Sequence, residues 1–476
     1  MLQRWGYRDI LAICIIQTNI FNQADCYYGL GQLLMEYESA VCGVEELVEE
    51  DGDGAKWEEV LKRMENSFLA LESGWNTVNL LSLTTDKLEQ DRFNQLLRRA
   101  ERALLTKFGS RTLYDYLKSL GEIEGEEGRI LERYNLEYKH QGYELPHNKY
   151  MALNAHWMKR LAEAQRDTRF KLSMASERFR HVIRDPAVVR EFPVDLLRAM
   201  SVDTSQPAKG PWSVTLHPYV YRKFLQYCPD RRLRWNAFNA DRSRGSSSMD
   251  VYLNVAGHIK DIRQHRLDQA STLGYYNYAE MSLASKMAGS LENVQSMIAS
   301  LLPAAKAAQE AELASLQQYA ESRGFDDTIR EFDVPFFRRK QLRTVLGIEE
   351  ESVREHFPLP TVLKGVFSLL EQQFGLTFTL ATENESSGVW SPEVSLYRVD
   401  ENGKEVGHLY VDPYYREDKS YQGGDKGYYI PLRSASDVGE GKPLGALVLS
   451  LPPPGYGKPS LLSLPEIEEL VKKVLH

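Results

Sequence analysis

The feature that most restricts what this chain can fold into is a change of hydrophobic period partway along it. From residue 32 to about 325, apolar residues recur three and four apart among Leu, Ala, Glu, Lys and Arg, with short breaks. That spacing collects apolar side chains on one stripe of an α-helix. It predicts helices at 57–71, 85–107, 111–120, 148–170 and 291–322, with another at 361–374. After Phe374 the pattern alternates instead. Residues 394–400 and 405–411 flank Glu401-Asn402-Gly403-Lys404, where Asn-Gly supplies the positive φ angles of a type I′ hairpin turn. Residues 428–432 and 444–449 are further strand candidates, a strand is expected to begin at Trp212, and 241–250 reads as an exposed loop. The fold class expected is mainly α, a helical shell with a small antiparallel sheet near the C-terminus.

With 476 residues and 42% hydrophobic content, the chain can bury one large core or two to three smaller ones. Its 58 basic and 67 acidic side chains are spread along the sequence and leave a net charge of -9. That balance argues against nucleic acid as an obligate partner. The acidic run 45–53 reads as a solvated loop. Cys14, Cys26, Cys42 and Cys228 show no C-x-x-C spacing and are expected to be reduced thiols, mostly in the core. The apolar run 10–16 is too short to span a bilayer and no small-residue cleavage site follows it, so neither a membrane span nor secretion is expected. Arg4 and Arg8 keep a mitochondrial destination open beside a cytoplasmic one.

Several chemistries are excluded by spacing. The glycine-rich stretches 423–427 and 455–458 lack the P-loop pattern, no G-x-S-x-G elbow occurs, and no cysteine has a paired histidine motif. His258, Asp261 and His265 share a helix face, but the histidines are two turns, roughly 10 Å, apart, too far for one tetrahedral ion. His408 and His217 have no second ligand nearby in sequence.

The tail 444–476 reads LGALVLSLPPPGYGKPSLLSLPEIEELVKKVLH. A buried strand is expected at 446–449, a Pro/Gly break at 452–459, and then a helix. Ser463 and Glu466 form an S-x-x-E capping box, Pro465 occupies the first turn, and Ile467, Leu470, Val471 and Val474 make an apolar stripe. The sequence stops within this helical pattern, at His476.

These stretches resemble the thimet oligopeptidase and oligopeptidase A family of zinc metallopeptidases. GYYNYAEMSLASKMA (274–288) is similar to the family's turn and Ser-Leu-Ala-x-Lys-Met-Ala helix. FDVPFFRRKQ (332–341) is similar to its Trp-Asp-x-x-Tyr-Tyr box, with phenylalanines at the three aromatic positions. Residues 356–378 resemble its Tyr-Phe-Pro element, and 389–419 its Trp-x-x-x-Val hairpin ending in Tyr-x-Asp-x-Tyr-x-Arg-x-x-Lys. The aromatics in these boxes are most simply packing residues, so the motifs speak to fold before activity. The division expected is an irregular or targeting start at 1–26, an N-terminal helical domain at 27–273 and a partial catalytic domain at 274–476.

The resemblance implies zinc-dependent hydrolysis of short unstructured peptides. In that family the helix of the tail carries H-E-x-x-H, whose histidines bind zinc and whose glutamate activates the metal-bound water. Here the five positions are Lys472, Lys473, Val474, Leu475 and His476. A protonated lysine has no lone pair for a metal, and it cannot act as the carboxylate base without a large pKa depression. The family's third ligand, a glutamate on a later helix, would lie beyond His476. The expectation is therefore an inactive relative holding no zinc, with His476 a lone remnant. The resemblance also marks Gly445, Ala446, Leu447, Val448 and Leu449 as an edge strand that pairs with an extended peptide, the alternative being an ordinary inner strand. Two alternatives stand beside this: a non-catalytic peptide-binding or regulatory protein, with a protein partner on the truncated face, and a truncated product without a role of its own.

Overall fold

The computed structural model describes residues 23–475 except 86–87, 204, 383–388, 417–418, 420–426, 437–441 and 456. By packing the chain divides into two compact units. One comprises Met1–Tyr143, Pro358–Tyr421 and Lys426–His476; the other comprises Glu144–Phe357 with Gln422–Asp425. The boundary expected at 273/274 follows sequence resemblance and falls inside the second unit.

The first unit opens with α1 (Gln23–Asp51), α2 (Trp57–Thr84), α3 (Gln90–Thr106), α4 (Arg111–Ser119) and α5 (Gly125–His140). Leu30, Leu33, Tyr37, Val41, Val44 and Val48 recur three and four apart on α1 and are buried, the stripe that the helical period predicts. The acidic run is a correction. Residues 45–51 are the last turns of α1, because Val44 and Val48 anchor them to the core while the carboxylates face out. The helix expected at 85–107 begins later, since Thr85 ends α2 in extended conformation with its N–H on the Leu81 carbonyl.

The second unit follows in chain order. It contains α6 (His147–Ala152), a π-helical turn at Leu153–Met158, α7 (Lys159–Arg178), β1 (Arg180–Ile183), α8 (Val194–Met200) and β2 (Trp212–Thr215). It continues with α9 (Pro218–Tyr227), α10 (Arg231–Arg242), α11 (Ala256–Thr272), α12 (Tyr278–Leu283), α13 (Leu291–Ser322), α14 (Val334–Val345) and α15 (Glu350–Arg354). The helix at Leu291–Ser322 has the bounds its period predicts, and Ser290 caps it by accepting from Asn293 N–H at 3.1 Å. β1 and β2 form an antiparallel pair in the register Arg180 to Thr215, and Trp212, Val214, Leu196, Phe224 and Cys228 fill the core beside it. Buried charges here are paired. Asp333 accepts from Arg234 at 2.6 Å, and Arg354 donates to Asp195 at 2.9 Å.

The chain then returns to the first unit with α16 (Leu359–Phe374), ended by Gly375 in left-handed conformation at φ 72°. β3 (Leu376–Leu380), β4 (Ser395–Glu401), β5 (Lys404–Tyr414), β6 (Gly427–Arg433) and β7 (Leu444–Leu451) build a sheet in the order β3-β4-β5-β7-β6, and α17 (Leu464–Val474) closes the described chain. The hairpin turn is as predicted, with Asn402 at φ 52° and Gly403 at φ 79°. One pairing differs from an all-antiparallel sheet: β7 inserts between β5 and β6 and runs parallel to β5, with Val411 opposite Leu447. A parallel neighbour needs a long connection, and the stretch holding β6 supplies it. One face buries Leu396, Tyr410, Ile430, Ala446 and Val448 against Leu80 and Leu83 of α2.

Candidate functional site

The tail carries the residues to which the resemblance assigns metal chemistry. The N-terminus of α17 forms as its residues predict: the Glu466 carboxylate accepts from the Ser463 N–H at 2.7 Å and from its hydroxyl at 2.8 Å. Leu470 is fully buried, and Ile467, Val471 and Val474 are half-buried along the same stripe. Lys472 faces water. It donates to Glu468 one turn back at 2.7 Å, and that carboxylate raises the lysine pKa above its ordinary value. The ammonium is therefore protonated at neutral pH and has no electron pair to offer. Lys473 is half-buried on the adjacent face, and His476 lies outside the described residues. Among the described residues no three His, Cys, Asp or Glu side chains group closely enough to hold a metal ion. The side chains described on α17 do not fit a zinc ion.

The strand expected at an edge is an inner one, which corrects the reading of Gly445, Ala446, Leu447, Val448 and Leu449. Their backbone pairs with β5 on one side and β6 on the other, and all five are buried. Burial on both faces explains why the run is continuously apolar, a pattern an inner strand shares with the edge strand it was read as. The sheet's edges are β3 and β6. Along β6, Gly427 is needed for close approach, since a Cβ there would sit 2.8 Å from the Val448 carbonyl oxygen.

The charged residues that converge are those of the hairpin motif, whose aromatics read from sequence as packing. Asp412, at the end of β5, is fully buried. It accepts from Trp390 Nε1 at 2.8 Å, from Arg416 Nη1 at 2.7 Å, and from Lys419 Nζ at 2.7 Å. Lys419, itself buried, also donates to the carbonyls of Tyr414 at 2.6 Å and Leu449 at 3.0 Å, tying β5 to β7. Arg416 reaches the Thr84 carbonyl at the end of α2 at 3.3 Å. Burial pushes the Lys419 pKa down to about 8 against the attraction of Asp412. Every ammonium proton has an acceptor within the protein, so the arrangement holds backbone in place. A sequence signal existed: an aspartate late in a strand, followed by cations at i+4 and i+7.

Of the remaining sequence candidates, His265 and His217 serve packing and capping. His265 packs its ring on Trp157 with centroids 5.9 Å apart. His217 caps α9, its Nδ1 accepting from Tyr219 N–H at 3.3 Å, and burial lowers its pKa to about 3. Cys26 and Cys228 are buried and Cys42 is exposed; Cys14 lies outside the described residues. Burial pushes the Cys228 thiol up to about 12, which leaves it unreactive. No helix among the described residues is long and apolar enough to cross a membrane.

Comparison with known proteins follows the same residues. The family model of peptidase family M3 matches residues 224–476. The organellar oligopeptidase A, chloroplastic/mitochondrial, of Arabidopsis thaliana is 29% identical over 316 residues, covering 63% of this chain and 39% of that protein. The probable cytosolic oligopeptidase A of the same plant is 25% identical over 486 residues, covering 96% of this chain and 67% of that protein. Oligopeptidase A of Salmonella typhimurium is 27% identical over 299 residues, covering 62% and 43%. The chain thus spans from 39% to 67% of the length of these relatives. The sheet, the Asp412 cluster and the capped helix α17 all fall within the matched stretch, and by that match the chain belongs to peptidase family M3.

Proposed function

We propose that this chain derives from zinc-dependent peptide hydrolases and does not itself cleave peptides. One observation carries the reading. At the positions where the family's helix needs an imidazole and a carboxylate, α17 presents Lys472, held protonated by Glu468, and Lys473. An ammonium repels a divalent cation and has no lone pair to coordinate it, and neither lysine can serve as a carboxylate base for water. His476 is one ligand position, and a single imidazole does not hold a catalytic zinc ion. Cytoplasm or mitochondria are the compartments this reading assigns, with short unstructured peptides as the ligands to test.

The test is direct. Purified chain is incubated with zinc, desalted, and measured for bound metal and for hydrolysis of a quenched fluorescent peptide of roughly ten residues, a length suited to an extended-peptide site. Zinc content and turnover are both expected at the level of a protein-free control. Stoichiometric zinc with chelator-sensitive turnover would overturn the proposal. A second reading, retention of peptide binding without cleavage, draws support from the Asp412 cluster, whose complete set of hydrogen bonds keeps the sheet's scaffold while α17 has changed. Saturable binding of the same peptide without turnover is its expected outcome.

A further inference from the structure

The second unit contains a cavity of about 250 Å³ between the end of α7 and the turn-rich segment that follows α10. Ala175, Phe179, Met249 and Leu253 give it an apolar lining, with Ala175 and Leu253 buried. Its far wall is held by the fold. Gly245 takes φ 70°, its carbonyl accepts from Val255 N–H at 2.8 Å, and Arg244 Nη1 donates to Ser176 Oγ of α7 at 3.0 Å. A Cβ at Gly245 would lie within 2.9 Å of Leu172 and Val255, so this wall closes only around glycine.

The charges near the cavity are unequal. Arg178, on the lining, pairs with Asp250; Arg242 pairs with Glu331; and Arg244 pairs with Asp241 at 3.0 Å. Arg180, also on the lining and exposed, has neither an ion pair nor a side-chain hydrogen bond among the described residues. The lining therefore carries Ser246, one neutralised ion pair in which Asp250 is held by Arg178, and one uncommitted guanidinium, Arg180, beside the apolar side chains. At about 250 Å³ it is smaller than the roughly 300–1,000 Å³ of pockets that enclose a drug-sized ligand, so it suits a single side chain and its terminal group.

We propose that this cavity binds a carboxylate joined to one aliphatic or aromatic side chain, as in an N-acyl amino acid or the last residue of a peptide. The Arg180 guanidinium takes the carboxylate through its paired N–H groups, and Phe179, Met249 and Leu253 enclose the side chain. Because the site lies in the second unit and does not involve α17, it stands whether or not the chain cleaves peptides.

The experiment is calorimetric titration of the full chain with N-acetyl-leucine, its amide, the tetrapeptide Ala-Ala-Ala-Leu and that peptide's amide. Both free acids are expected to bind saturably and at least about tenfold tighter than their amides, the scale of one charge-assisted contact. R180Q should weaken acid binding by a similar factor and leave acid and amide indistinguishable, with an unchanged melting curve. M249W, which fills the cavity, should abolish binding of both acids. Either ranking of the tetrapeptide against N-acetyl-leucine supports the site and identifies the source of the carboxylate. Equal binding of acid and amide, undiminished discrimination in R180Q, or no saturable binding of either acid would overturn the proposal.

Discussion

Lys419 and Lys472 belong to the same half of the chain, and their settings are opposite. Lys419 is buried among four oxygens, with its pKa pushed down to about 8, while Lys472 stands in water on α17 and Glu468 raises its pKa. The first side chain joins two strands; the second touches one exposed carboxylate. The contrast teaches that packing decides what a lysine does in this chain: the cluster that holds the sheet is buried and fully paired, while the helix turn proposed to stand where the family holds a metal is open to water. A buried cluster resists change because each missing partner leaves an uncompensated charge. A solvent-facing helix turn tolerates lysine at almost no cost in stability.

Mutation can break that contrast. The largest effect is expected for D412A, which leaves buried Lys419 and half-buried Arg416 without their shared carboxylate. A loss of about 3–5 kcal/mol is expected in urea unfolding. A loss under about 1 kcal/mol would show the cluster to be dispensable.

The pH dependence of Lys419 sharpens it. Its folded pKa of about 8 lies below the unfolded value of about 10.4, so the folded state releases this proton first. Its contribution is therefore present above about 10.4 and is lost as pH falls through 8. Relative to K419M, the wild-type chain should gain at most about 3 kcal/mol between those values, read from urea midpoints at several pH values. His217 gives the acid counterpart. Held neutral with a pKa of about 3, it contributes stability above about 6.5 that is lost as pH falls toward 3, a slope that H217N should flatten.

Smaller effects are expected on α17. E466A removes the acceptor of the Ser463 N–H and hydroxyl and should cost about 1 kcal/mol in thermal unfolding. K472A should leave the thermal midpoint close to that of the wild-type chain, the smallest change of the set, since the ion pair it removes is a solvent-exposed i,i+4 contact with Glu468.

Much of the fold was legible from residues. Asn402-Gly403 announced the hairpin, the helical period set both ends of α13, and Ser463 with Glu466 announced the start of α17. Other features were hidden for physical reasons. β1 has four residues, too few for alternation to stand out. β3 alternates as Leu376-Thr377-Phe378-Thr379-Leu380, in line with the change of period after Phe374, but with Gly375 alone between it and α16 its bounds did not stand out. The acidic end of α1 reads as a loop because its anchors are only Val44 and Val48.

The site divides in the same way. That Lys472 and Lys473 bring neither an imidazole nor a carboxylate to α17 follows from the sequence alone, because ligand chemistry depends on which atoms a residue has, wherever it sits. The position of Gly445–Leu449 inside the sheet, the convergence of Trp390, Arg416 and Lys419 on Asp412, and the uncommitted Arg180 beside an apolar cavity were decided by tertiary structure. An apolar run fits an edge and an interior equally well until its neighbours are known, and a charge acquires its partners and its pKa from groups that packing brings to it from far along the chain.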